Sequence, residues 1–232
     1  MNERLEPVVT RFVYGDIDRR KRQRLPHWQT RNGIQFVTWR LNDSLPKSVE
    51  RDLEERRERR ILERRSAGAL TKDELSRIDR DCFDEIDREL DRGRGSCFMN
   101  DPRVADIVEN AIYFFDGDRY RILSESVMPN HVHVIFRTLG DNVLWDILKS
   151  WKRHSARESN RVLNRTGTFW QPGYYDRLIR DSRELSDRIR YVLNNPLKAG
   201  LQNWRWSGFS SEAIHELLER GSEEGGLVVR PQ

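Results

Sequence analysis

The run MPNHVHVIF, residues 128–136, places two histidines at i and i+2 in a segment that reads as a strand. Alternate side chains of a strand share a face, so His131 and His133 point one way while Val132 and Val134 point into the core. Their Cα atoms then sit about 6–7 Å apart, within reach of one metal ion. Imidazole suits a divalent transition metal, and tolerates Mg²⁺ where carboxamide, water and phosphate oxygens complete the shell. The same spacing also describes two solvent-facing strand histidines. No acidic residue stands beside the pair in the sequence, which weighs against a site built to activate water.

A second candidate lies on a helix read from Ser182, its cap, to Asn194, with Pro196 beyond its end. On a wheel of 100° per residue, Leu185, Ile189, Val192 and Leu193 form one apolar face. Tyr191 falls roughly 145° from the middle of that face, beside Glu184, Arg188 and Asn195. A nucleophile and a ligand that act at one site need such a shared face; a tyrosine packing its ring on a half-buried flank satisfies the wheel equally. Tyr174 and Tyr175 are rival nucleophiles, but a Pro-Gly loop and strand edge suit structural or base-stacking roles better. Lys149, Arg153, Arg157 and Arg161 repeat every four residues on a helix read from Leu144 to about Asn160, with Lys152 alongside. Such a stripe suits phosphates or a solvated face. Arg180 joins the candidate phosphate-binding set. Trp170, Trp204 and Trp206 fit base stacking or core anchoring. His154, His27 and Trp28 acquire no role from spacing.

The elements that hold these residues follow from periodicity. Ile34 to Leu41 is β-branched and aromatic, hence a strand. Residues 48–65 and 71–90 read as a helical hairpin broken at Ser66–Gly68. Leu75, Ile78, Cys82, Phe83, Ile86 and Leu90 give its second helix an apolar stripe, and Gly93 and Gly95 close it. Val104–Phe115 is a helix opened by Pro102. Tyr120–Val127 and His131–Phe136 form a hairpin turning at Pro129-Asn130. Residues 169–180 combine a loop with a short strand, and a Trp-rich tail and short helix follow. The first 30 or so residues are basic and irregular. The order β–α–β–β–α–β–α predicts an antiparallel-rich α/β sandwich with the helical hairpin inserted after the first strand.

Composition permits this and narrows the partners. Of 232 residues 36% are hydrophobic and 34% charged, yet seven Trp, six Tyr and nine Phe suffice for a core that a disordered chain would lack. The net charge is only +4, so its distribution decides. Five of residues 19–24 (RRKRQR) are basic, and 149–165 holds six cations against Glu158 alone, whereas 51–94 nearly cancels. Discrete basic patches favour a polyanion. Cys82 and Cys97 form no disulfide framework or paired-Cys zinc site, and both thiols are expected reduced. The N-terminus lacks a signal-like apolar run, and no stretch approaches 18 apolar residues or so; a soluble, cytoplasmic protein without a membrane partner is expected.

MPNHVHVIF, FWQPGYYDRLIR, YVLNNPLKAGL and NWRWSGFS, in that order, resemble the REP-associated tyrosine transposases, relatives of the single-tyrosine insertion-sequence transposases of the HUH superfamily. The opening LPHWQ and GIQFVTWRLNDSLP are similar to that family's first strand and its approach. The resemblance implies a ferredoxin-like sandwich with the histidines on a central strand and the tyrosine on a flanking helix. It implies His131 and His133 as ligands of Mg²⁺ or Mn²⁺, Tyr191 as nucleophile and Asn195 where the family carries a polar third ligand, often Gln. The implied activity is cutting and rejoining of single-stranded, hairpin-forming repetitive DNA through a 5′-phosphotyrosine, with Lys149, Lys152, Arg153, Arg157, Arg161 and Arg180 on the DNA. A non-catalytic single-stranded nucleic-acid binder derived from such an enzyme is the alternative. Relatives that swap helices between subunits exist beside compact ones, so monomer and homodimer both stay open. The expected organisation is one HUH domain. It comprises a basic arm 1–31, a core of 34–47 and 101–212, an insertion of about 48–100 and a polar tail 213–232. The insertion departs from a minimal family domain.

Overall fold

The protein is described by a computed structural model, which defines the backbone of residues 11–13, 18–22, 25–220 and 228–230 and the side chains of 30–218. Near the N-terminus, β1 (Arg11–Val13) pairs with β9 (Val228–Arg230), and β2 (Asp18–Arg22) pairs with β3 (Leu25–Gln29). The basic arm is therefore partly a β-ribbon, where an irregular segment was expected. Runs of charge depress β propensity, and pairing overrides it. The side chains of the RRKRQR run, and of His27 and Trp28, lie outside the described residues.

The central sheet is antiparallel, in the order β7-β4-β6-β5-β8. Its strands are β4 (Ile34–Arg40), β5 (Tyr120–Val127), β6 (His131–Thr138), β7 (Tyr175–Leu178) and β8 (Ser207–Phe209). The first four give the antiparallel sheet that the element order predicts, in the ferredoxin-like arrangement that the family resemblance implies; β8, absent from that expectation, extends the β5 edge. Strand alternation sorts side chains to two faces. Val37, Trp39, Val132, Val134 and Phe136 join Leu144, Ile147, Leu148 and Trp151 of α4 (Leu144–Val162) and Val104 and Val108 of α3 (Pro102–Tyr113) in one core. On the other face Ile34, Phe36 and Ile135 meet Leu185 and Val192 of α5 (Ser182–Lys198) and Ala213 and Leu217 of α6 (Ser211–Arg220).

The predicted hairpin is present as α1 (Lys47–Ala67) and α2 (Lys72–Leu90). The Thr71 hydroxyl accepts from the Glu74 amide while Glu74 accepts from the Thr71 amide, a capping box that starts α2. Arg57 reaches Asp79 at 2.7 Å and Arg60 pairs with Glu85, joining the two helices across their polar flanks. Leu45, Leu53 and Leu90 supply a small apolar cluster at the base. At its exit Gly95 has φ +83°, and a Cβ there would lie 2.4 Å from the Asp43 carbonyl oxygen, so only glycine lets the chain pass.

Two boundaries differ from expectation. Asp181, not Ser182, caps α5, its carboxylate accepting from the Glu184 amide at 2.8 Å. Pro196 lies inside the helix, which runs on to Lys198. No helix among the described residues is long and apolar enough to cross a membrane.

Candidate functional site

Pairing register places the histidines. Within the sheet His131 stands opposite Arg40 of β4, and His133 stands between Thr38 of β4 and Ser126 of β5. Both imidazoles project to the face covered by α5, opposite to Val132 and Val134. Each ring is oriented through Nδ1. Thr38 Oγ1 lies 2.7 Å from His133 Nδ1, and Asn130 Oδ1 lies 2.7 Å from His131 Nδ1. Asn130 Nδ2 donates to the carbonyls of Leu90 and Arg94, both at 3.1 Å, which leaves Oδ1 to accept. His131 therefore carries its proton on Nδ1 and presents a bare Nε2, as a metal ligand does. Asn130, read from sequence as a turn residue, is a positioning group.

Helix α5 brings Tyr191 and Asn195 to the same place. The Tyr191 ring lies 5.4 Å from the His133 ring and 5.8 Å from Phe36, edge-on to both. Both readings of the wheel thus apply: the ring is partly buried against Phe36, and the residue faces the histidines. Its hydroxyl and both side-chain amide atoms of Asn195 are buried with no hydrogen-bond partner. Burial, with the Asp87 carboxylate next in weight, pushes the phenol pKa well above its ordinary value. Two cations flank the ring: Lys198 Nζ at 4.8 Å and the Arg188 guanidinium at 5.6 Å from its centre. Arg188 was on the Tyr191 face of the wheel; Lys198, two turns on, was not singled out.

An acidic residue does stand beside the histidines, contrary to the sequence-based expectation. Asp87 Oδ1 lies 3.3 Å from His133 Nε2 and 4.0 Å from His131 Nε2. It comes from α2, more than forty positions upstream, so adjacency in sequence gave no sign of it. On the α2 wheel Asp87 falls just outside the apolar stripe, about 40° beyond Phe83, so periodicity gave only a weak sign of it. Burial opposes ionisation of Asp87, but the two imidazoles overcome it and draw its pKa down to about 2. Burial, and then His133, lower His131 to about 3.

Both Nε2 atoms and Asp87 Oδ1 are buried and lack directed hydrogen bonds. The three ligand atoms lie within 4.8 Å of one another. Buried polar atoms are seldom left without partners, and two imidazole nitrogens with a carboxylate oxygen are a donor set for a divalent cation. The residues fit such an ion. Exposure is 0% for His131, His133 and Asn195 and 5% for Asp87, so α2 closes the site from above. Phe83 of α2 also stacks on Tyr175, ring centres 4.0 Å apart.

The other candidates lie elsewhere. Lys149, Arg153, Arg157 and Arg161 are exposed on α4, across the sheet from the histidines. Glu158 pairs with Arg157 at 2.8 Å and with Arg161 at 2.6 Å. The Lys152 ammonium donates to the carbonyls of Gln171 and Gly173 at 2.9 and 2.6 Å. Arg180 is exposed before α5, and His154 is exposed on α4. Tyr175 is half-buried on β7, while Tyr174 lies near Trp145. Trp170 and Trp206 are core residues; their indole nitrogens donate to Ser155 and Asp106, and that of the half-buried Trp204 donates to the Val127 carbonyl.

Residues 94–195 match the family model described as Transposase IS200 like. That segment holds both histidines, Tyr191 and Asn195, and excludes α1 and α2. A protein of Haemophilus influenzae named as a REP-associated tyrosine transposase is 26% identical over 105 residues, 39% of this chain and 60% of that protein. The chain thus spans less than two thirds of the length of this curated relative. Among solved structures, a REP-associated tyrosine transposase bound to a REP hairpin aligns over 86% of this chain and 87% of its own, at 16% identity and a TM-score of 0.47. A transposase structure from Deinococcus radiodurans R1 aligns over 70% and 89%, at 15% identity and a TM-score of 0.31.

Proposed function

We propose, from the match of residues 94–195 to the family model described as Transposase IS200 like, that the chain nicks and rejoins single-stranded, hairpin-forming DNA through Tyr191. The observation that carries this reading is the convergence of Tyr191 from α5 and His131 and His133 from β6 on one buried point. In the reaction Tyr191 Oη attacks phosphorus in line, forming a tyrosyl phosphodiester to the 5′ side, while the P–O3′ bond breaks. The phenol loses its proton and the departing 3′ oxygen gains one. A second 3′-OH reverses the step, so strands join without an external energy source.

His131, His133 and Asn195 would hold the divalent ion, Mg²⁺ or Mn²⁺. When bound it neutralises charge on the phosphate and lowers the phenol pKa from its raised value. Lys198 and Arg188, beside the Tyr191 ring, are placed to receive the phosphates flanking the scissile bond. The α4 stripe, with Arg180, serves the remainder of the hairpin as a positioning surface. The core of 34–47 and 101–212 would act as one catalytic domain, with α1 and α2 as its cover.

Trapping tests the proposal. A library of single-stranded hairpin oligonucleotides incubated with Mn²⁺ should give a denaturation-resistant protein–DNA adduct, and His133→Ala should lose the adduct while retaining hairpin binding. Cleavage by His133→Ala at the wild-type rate would sink the metal assignment. Asp87 gives one observation in favour of a second reading, a phosphodiesterase in which water replaces the tyrosine. That enzyme would cleave with no adduct at all.

A further inference from the structure

The segment that matches the transposase family model contributes two imidazoles and a carboxamide to the site, all from 94–195. The fourth polar group at this point comes from outside it. We infer that Asp87, on the inserted helix α2, is a protein ligand of the metal centre, so that the insertion supplies the site's one carboxylate. This rests on the reading above that His131 and His133 hold a divalent ion.

Geometry carries the inference. In a shell of about 2.1 Å radius, two ligand atoms stand between about 3 Å apart, at right angles, and about 4.2 Å apart, in line. Asp87 Oδ1 is 3.3 Å from one Nε2 and 4.0 Å from the other, inside that range for both. Neither contact serves as a directed hydrogen bond, since Oδ1 and both Nε2 atoms are left without partners. The carboxylate is 5% exposed, sits among Phe83, Leu90 and the histidines, and meets no Lys or Arg at ion-pair distance among the described residues. With only the two imidazoles facing it, the carboxylate meets no permanent cation among the described residues, and a divalent ion would supply one.

The delivery of Asp87 is also built in. The Leu90 and Arg94 carbonyls, at the end of α2 and just beyond it, accept from Asn130, the same residue whose Oδ1 orients His131. One amide therefore ties the helix that carries the carboxylate to the ring that carries the nitrogen. Carboxylate also suits the metals expected here. Mg²⁺ and Mn²⁺ prefer oxygen ligands, and a carboxylate adds one to the two imidazoles and the carboxamide.

The test is Mn²⁺ binding by the DNA-free protein, followed by electron paramagnetic resonance, with melting temperature measured in EDTA and in Mn²⁺. Loss even of a group outside the first coordination sphere costs about 10- to 100-fold in affinity, so Asp87→Asn should weaken Mn²⁺ binding at least about ten-fold. Asp87→Glu should recover part of that loss with an altered spectrum. In EDTA Asp87→Asn should melt no lower than wild type, and its gain on adding Mn²⁺ should be smaller. Mn²⁺ binding by Asp87→Asn within two-fold of wild type, with His133→Ala unable to bind, would overturn the inference and leave the histidine centre standing. Asp87→Asn melting lower in EDTA with an undiminished Mn²⁺ gain would make Asp87 a structural group and overturn it too. Failure of wild type itself to bind Mn²⁺ would remove the metal reading and the inference together.

Discussion

Asn130 shows how much of a site can rest on one uncharged side chain. It makes three hydrogen bonds in a buried position, two to the insertion and one to His131. Asn130→Ala strands these partners, each at about 1–3 kcal/mol. Global stability should fall on the order of 3 kcal/mol in urea melts, and an unchanged midpoint would contradict the network. Lys152 makes the opposite point. Burial, and then Arg40 nearby, lower its pKa to about 8 from the ordinary 10.5. Below about pH 8 the folded protein carries a partly desolvated ammonium that the unfolded chain carries fully solvated. Between 8 and 10.5 the folded form has released that proton while the unfolded chain retains it, so this cost fades as pH rises. Wild type should therefore gain stability relative to Lys152→Met between pH 7.5 and 9.5; a flat difference would show that the lysine is not buried as described. At this scale the sequence was legible where spacing encodes geometry. His131 and His133 share a face because strands alternate, and Tyr191 meets Asn195's face because helices repeat. Asp87 was hidden because its partners are distant in the chain and its acidic neighbours in α2 are solvated.

Among the elements, α2 and α4 pose separate questions. The inserted hairpin was readable from its stripe and its capping residues, but nothing in periodicity says which face of the sheet a helix covers. A cavity of about 530 Å³, lined among others by Trp39, Leu53, Phe83 and Tyr175, lies between the hairpin and the β4–β7 edge. The closed site predicts that DNA reaches Tyr191 only when the α2 cover shifts. Hydrogen exchange should report weaker protection in α2, and not in β6, once a hairpin oligonucleotide binds. Equal protection in free and bound protein would require another entry route. Helix α4 was legible as amphipathic, yet its stripe lies across the sheet from the histidines, and Glu158 pairs with two of its four cationic side chains. Arg153→Ala with Arg157→Ala should weaken hairpin binding and reduce its salt slope by up to about two ions. An unaltered slope would make the stripe a solvated face. The misplaced end of α5 has a plain cause: Pro196 forfeits one backbone donor and crowds the carbonyl four residues before it, but the helix ends at Lys198 and little of it remains to be disturbed.

In the whole molecule a ferredoxin-like sheet brings His131, His133, Tyr191 and Asn195 to one point, and an insertion closes over them. The proposed chemistry is covalent and runs through Tyr191. The most direct measurement is mass-spectrometric mapping of the protein–DNA adduct formed with Mn²⁺ and a single-stranded hairpin, in wild type and in three single variants. Tyr191→Phe keeps the ring against Phe36 and His133 and removes only the attacking oxygen, so it should fold, bind hairpin and form no adduct. Tyr174→Phe and Tyr175→Phe should form the adduct as wild type does, with the modified peptide containing Tyr191. An adduct that persists in Tyr191→Phe and maps to residue 174 or 175, or strand cleavage by wild type with no adduct, would contradict the account.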